Sequence, residues 1–164
     1  MADARDRPGP HPGKMTKVAE QAVRHRRPAA VSWPTVGAVA AGGALGALGR
    51  YGLETAWPAA PSHFPWSTFV TNVSGCFLIG IVMVLAADFW SAHPLADPFL
   101  GVGVLGGYTT FSTYNGDVQR LVELGEARTA LVYLAGTLLL ALAAAYLGGA
   151  LTKLAVRRAR GQAK

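Results

Sequence analysis

Gly103 to Asp117 reads GVLGGYTTFSTYNGD. Gly103, Gly106 and Gly107 are poor helix formers, and Thr109, Thr110, Ser112 and Thr113 follow them as a dense cluster of hydroxyls. The stretch overlaps an uncharged run, Pro98 to Gly116, bounded by Asp97 and Asp117. A membrane-spanning helix interrupted midway is the expectation. Backbone left unpaired at membrane depth is tolerated only where it is buried in protein or lines a polar cavity. A broken helix offers carbonyl oxygens to a cation and N–H groups to an anion. Phe111 and Tyr114 are three apart, on one face of whatever helix resumes. The electropositive edges of two rings can solvate a small anion; equally, the rings can do no more than pack.

Three further uncharged runs flank this one. Val31 to Gly49 precedes Arg50 and Glu54, Trp66 to Ala87 ends at Asp88, and Thr129 to Thr152 lies between Arg128 and Lys153. About 20 apolar residues cross a hydrocarbon core of about 30 Å. None of the runs carries the polar stripe of a soluble helix. Pro58, Pro61 and Pro65 break the chain after the first run, and His93 with Pro94 after the second. Trp33, Trp57, Trp66 and Trp90 fall near the run ends, where amphipathic rings settle at head-group level. The expected fold is an all-α membrane protein of four transmembrane helices over residues 31–152. A disordered basic extension over 1–30 precedes it and a basic tail over 153–164 follows it.

Charge supports that division. Charged residues make up 15% of the chain, against about 25% in soluble domains. Of the 15 Lys and Arg, seven lie in Met1 to Arg27 and five in Lys153 to Lys164. The net charge of +6 therefore belongs to two tails, which suit anionic lipid head groups rather than nucleic acid. Four spans put both termini on one side, and the basic bias makes that side the cytoplasm. The single cysteine, Cys76, allows no intrachain disulfide and reads as a small buried side chain. His11, His25, His63 and His93 show no ligand spacing. The runs hold no Asp, Glu, His or Lys, so neither a general base nor a proton relay is expected, and the chain is not expected to be an enzyme.

The polar groups tolerated inside the runs carry the function. The first run contains AAGGALGALGRY, Ala40 to Tyr51, whose Gly42 and Gly46 are spaced for close helix packing. Arg50 allows two readings, a structural anchor snorkelling to the interface and an anion-attracting vestibule. The second run contains TFVTNVSGCFLIG, Thr68 to Gly80. Its Asn72 is either interhelical glue or, through its NH₂, a donor to an anion. In the fourth run Tyr133 and Thr137 share a face.

GGALGALGRY, TFVTNVSGCFLIG and GGYTTFSTY, in that order, resemble the CrcB-type (Fluc) fluoride channels, and the resemblance covers roughly Thr35 to Lys153. It implies an antiparallel dimer, of two copies or of two related subunits, with narrow pores at the interface. Asn72 then corresponds to the family's pore asparagine, and Phe111 and Tyr114 to its fluoride-contacting aromatics. Ser112 and Thr113 correspond to a polar track beside them, Tyr133 and Thr137 to its fourth-helix members, and Arg50 to the arginine closing the first motif. Gly106 and Thr109 match the positions whose carbonyls hold an activating sodium ion. The second aromatic is usually Phe, and here it is Tyr114. The acidic residue three positions on is here the shorter Asp117. Tails this basic further suggest a subunit of fixed orientation, paired with a related partner of opposite topology.

Two rivals remain at this level. A small four-helix drug/proton antiporter has the same size but needs a membrane-embedded carboxylate, for which the chain offers only Glu54 at a span edge. A non-transporting membrane scaffold would tolerate loss of Asn72 or Phe111 without change in ion flux.

Overall fold

A computed structural model describes residues 32–58, 60–89 and 94–162. The extension expected over 1–30, together with Trp90 and His93, lies outside them. Among the described residues the chain is helical without strands. Helix α1 spans Trp33–Ala56 and α2 spans Trp66–Phe89. The third run is built in pieces: α3 (Pro98–Leu105), α4 (Gly106–Tyr108) and α5 (Phe111–Glu123). Helix α6 covers Ala127–Gln162.

Local chemistry sets the ends. Ser32 caps α1 by accepting from Thr35 N–H, with Pro34 in the first turn, where a missing N–H costs nothing. Gly125, at φ 78°, makes the turn from α5 to α6, a backbone conformation open to glycine without a Cβ penalty. The first helix runs past Gly49, where the uncharged run stops, because Arg50 and Glu54 satisfy each other one turn apart, with Nη1 to Oε1 3.2 Å. Likewise α6 continues beyond Thr152 through the basic segment.

α3 adds to the expectation of an interrupted helix: Pro98–Leu105 is π-helical. Gly101 and Gly103 weaken the α preference of these eight residues, and packing against α1 then decides the geometry. That packing is backbone to backbone. A Cβ on Gly42 would overlap the Phe99 carbonyl, and one on Gly46 would overlap the Val104 carbonyl and the Tyr108 amide. The close-packing role read for these glycines is what the structure shows.

The bundle has two main seams, α1 along α3 and α4, and α2 along α6, with α5 lying on α6. Its burial pattern is inverted relative to a soluble protein. Ser67, Thr68, Thr71, Asn72, Asp117 and Thr137 are buried, while Leu45, Leu48, Met83, Leu131, Leu139 and Leu142 are exposed. Hydrocarbon solvates leucine as well as a core does, so polar side chains are what such a bundle hides. Trp66–Ala87 and Ala127–Gly161 are each long and apolar enough to cross a membrane. The first helix has 24 residues, and the pieces of the third run have 8, 3 and 13.

Candidate functional site: a polar break against an aromatic wall

The site begins where helix stops. Gly106 keeps helical angles, φ −66° and ψ −33°, so α3 runs into α4 without a bend in the backbone. Thr109 and Thr110 are extended, with ψ 154° and 122°, and the helix resumes at Phe111. Thr109 folds its hydroxyl back onto the Leu105 carbonyl at 2.9 Å. Thr110 caps α5, accepting from Thr113 N–H at 3.1 Å, and its hydroxyl also meets those of Thr113 at 3.0 Å and Ser112 at 3.3 Å.

Thr109 N–H still bonds the Leu105 carbonyl, and α2 serves Thr110 through one side chain. Asn72 Nδ2 donates to the Thr110 carbonyl at 3.0 Å, and Thr110 N–H donates to Asn72 Oδ1 at 2.8 Å. The amide thus stands in for a backbone ladder. Asn72 is glue, as one of its two readings held, and one N–H of its NH₂ remains beyond the bond to Thr110. From the other side, Arg50 Nε donates to the Gly107 carbonyl at 3.4 Å while Nη1 holds Glu54. The arginine therefore braces α4 from α1. Tyr108, which the sequence did not single out, meets Ser74 hydroxyl to hydroxyl at 3.1 Å.

Beside the break lies a groove of about 270 Å³ lined by Asn72, Cys76, Thr109, Thr110, Phe111, Tyr114 and Thr137, with Gly75, Ile79, Leu138 and Ala141 as its apolar floor. The rings of Phe111 and Tyr114 stand 5.9 Å apart and tilted by 46°. Behind them Tyr114 meets Tyr133 at 5.2 Å, and Tyr133 meets Phe64 edge-on at 5.2 Å. The Tyr114 hydroxyl turns away and donates to the Leu134 carbonyl at 2.8 Å. Its ring therefore serves the groove while its oxygen ties α5 to α6. Thr137 has a buried hydroxyl with no partner among the described residues, an unusual state for a buried donor.

Of the residues singled out from the sequence, the structure gathers Asn72, Thr109, Phe111, Tyr114 and Thr137 at one groove. Ser112 and Thr113 join it only through the Thr110 hydroxyl. Tyr133 is fully buried behind the rings, donating to Asp117 Oδ2 at 3.3 Å. Arg50 and Gly106 lie outside the groove lining. One reading is corrected: Cys76 is half-buried and lines the groove rather than disappearing into packing. Asp117, which bounds the uncharged run, is buried inside the bundle between Arg120 and Tyr133, where a cation and a hydroxyl hold its carboxylate.

The break also bears on a cation. In a continued helix Thr110 N–H would bond the Gly106 carbonyl, but that N–H is given to Asn72. Gly106 is exposed, with open space where a Cβ would be, and Thr109 is the residue at which the helix ends. Carbonyl oxygens at a helix C-terminus carry partial negative charge and are hard ligands suited to sodium.

Fold and site together define an all-α integral membrane protein whose apolar helices enclose an uncharged polar break. The family model described as "CrcB-like protein, Camphor Resistance (CrcB)" matches residues 37–149. This chain belongs to the CrcB family. It is 53% identical over 123 residues to the fluoride-specific ion channel FluC 2 of Nocardia farcinica, covering 75% of this chain and 88% of that one. To FluC 2 of Streptomyces avermitilis it is 49% identical over 135 residues, 79% and 84% of the two chains. To the fluoride-specific ion channel FluC of Nitrobacter winogradskyi it is 44% identical over 120 residues, 72% and 94%.

Proposed function

We propose that this chain is a subunit of a fluoride-selective channel that lets fluoride leave the cytoplasm down its electrochemical gradient and so relieves fluoride toxicity. The observation that carries the proposal is the groove at Asn72, Phe111, Tyr114 and Thr137, which brings an amide N–H and two aromatic rings together beside a buried hydroxyl without a partner and has no charged side chain in its lining. Stripping a small anion of water costs tens of kcal/mol in a low dielectric. Fixed donors must repay that cost, and neutral donors do so without trapping the ion. The N-terminus of α5, where Thr110 caps Thr113 N–H, adds the positive end of a 13-residue helix.

Pro98 to Glu123 is read as one span interrupted at Thr109 and Thr110, which makes four spans with α1, α2 and α6. An even number brings both basic tails to one face, the cytoplasmic one. Phe111, 79% exposed in the single chain, is a ring in want of a covering surface, and an antiparallel second subunit would supply it. At that junction Gly106 and Thr109 would hold sodium through their carbonyls, the bound cation fixing the two breaks against each other. Ser112, Thr113 and Tyr133 extend the polar lining away from the groove, and Arg50 holds α4 in place. The basic tails favour one orientation and hence a related partner of opposite topology, which labelling of a tail cysteine tests: equal labelling from both faces would refute it. The carboxylate buried in the bundle, Asp117, is already held by Arg120 and Tyr133, which argues against its serving as the exchanging group of an antiporter.

The test is efflux from liposomes carrying the purified protein. Rapid electrogenic release of fluoride with chloride retained is expected. Equal release of both ions, or of neither, overturns the proposal.

A further inference from the structure

Helix α6 is 36 residues long, about 54 Å at 1.5 Å per residue. A hydrocarbon core is about 30 Å thick, so the helix must leave the membrane. Its uncharged part ends at Thr152, yet helix continues through Lys153, Arg157, Arg158 and Arg160. The face on which these cations fall is informative. Tyr133, Thr137, Ala144 and Gly148 are buried against the bundle. On the opposite face, Leu139, Tyr146, Lys153 and Arg160 follow one another at steps of seven residues, with Leu142 and Arg157 beside them. All six are exposed, Leu139 at 65%, Leu142 at 63% and Tyr146 at 77%. Seven residues are almost two turns, so this is one stripe: leucines, then a tyrosine, then cations.

We infer that this outer stripe of α6 is a binding site for anionic lipid head groups, with Lys153 and Arg157 engaging lipid phosphates where the helix emerges. Leucine meets acyl chains, and tyrosine settles between apolar and wet layers. Lys153 comes about 10 Å further along the helix than Tyr146, at the depth of the head groups. A basic segment next to a membrane span gains roughly 1 kcal/mol for each Lys or Arg near an anionic surface. The stripe runs without a step from apolar to cationic on a single rigid element, which fits a lipid standing parallel to the helix better than a soluble anion. Arg158 points off the stripe, and its charge adds to the general attraction without belonging to the site.

The full-length protein in mild detergent is mixed with equal amounts of phosphatidylglycerol and phosphatidylcholine and repurified, and the retained lipids are quantified. The wild type is expected to keep phosphatidylglycerol in preference by about tenfold. Lys153→Gln with Arg157→Gln lowers the ratio several-fold, whereas Lys153→Arg with Arg157→Lys preserves it. Arg157→Gln alone gives a smaller fall and keeps the test usable should the double variant not purify. Equal retention of both lipids by the wild type overturns the inference, as does an undiminished preference in the Gln variants. A Gln variant that loses cross-linked dimer while its lipid ratio is unchanged overturns it too, assigning the stripe to a second copy.

Discussion

The side-chain amide of Asn72 meets both the carbonyl and the N–H of Thr110, at 3.0 and 2.8 Å. One residue of α2 thereby satisfies the backbone of a helix break thirty-eight positions away. Without that amide the N–H of Thr110 would be unpaired where water is scarce, and its carbonyl would keep only the first bond of α5. The break is thus a feature held from outside, and its geometry can be no better than the placement of Asn72.

Asn72→Ala is expected to lower stability by about 1–3 kcal/mol, the cost of leaving the Thr110 N–H without its partner, and to abolish fluoride flux. Asn72→Asp still accepts from Thr110 N–H but cannot donate to its carbonyl, and it puts a negative charge at the groove. It should melt closer to wild type and conduct no better than Asn72→Ala. Thermal unfolding in detergent, read beside liposome efflux, separates the two effects. An Asn72→Asp channel with wild-type flux would contradict the arrangement.

The two aromatic positions should respond differently. Tyr114→Phe removes the bond to the Leu134 carbonyl, costing about 0.5–1.5 kcal/mol, and leaves the groove wall in place, so fluoride is still preferred to chloride. Phe111→Ile touches a ring that is exposed in the single chain and should change the melting temperature little while fluoride release falls by at least about tenfold, the loss of one donor surface worth about 1.4 kcal/mol or more.

Close approach of α1 to α3 and α4 depends on hydrogen at one position. Gly46→Val sets a branched side chain against the Val104 carbonyl and the Tyr108 amide, and the helices must part. A loss above about 3 kcal/mol, the upper range for overpacking, is expected, seen as a collapse in folded yield. Gly52→Ala, with nothing near its Cβ, should be neutral or gain about 0.5–1 kcal/mol from helix propensity.

Cys76 is the chain's single cysteine and lines the groove. Methyl methanethiosulfonate, adding a small thiomethyl group, should slow fluoride release, and Cys76→Ala should be insensitive to it. Unchanged flux with the thiol shown by mass to be modified would move the ion path off this groove.

How much of this was visible in the sequence depends on whether a feature is local. Trp66 to Ala87 could be read as a span from its lack of charge, and α2 begins at Trp66. The glycines of the first run announced close packing because small residues four apart have few other uses in a membrane. The two extended residues, Thr109 and Thr110, sit inside the hydroxyl-rich stretch from which the fold was read. What stayed hidden were choices made by partners far along the chain. The pairing of Arg50 with Gly107, the turning of the Tyr114 hydroxyl to Leu134, and the burial of Asp117 between Arg120 and Tyr133 all need two elements in place. Cys76 looked like filler because nothing in its own neighbourhood records what stands opposite. The π geometry of Pro98–Leu105 belongs with these, since two glycines permit it but only α1 selects it.

The fragmentation of the third run has a bearing on how the molecule is made. Pieces of 8, 3 and 13 residues are each too short to hold themselves across a bilayer. They need a seam along α1 and an amide from α2, and both of those helices precede them in the chain. Synthesis therefore delivers the weakest segment after its supports are already in the membrane, and a permuted chain that began at Pro98 would be expected to insert poorly with every contact of the finished fold still available to it.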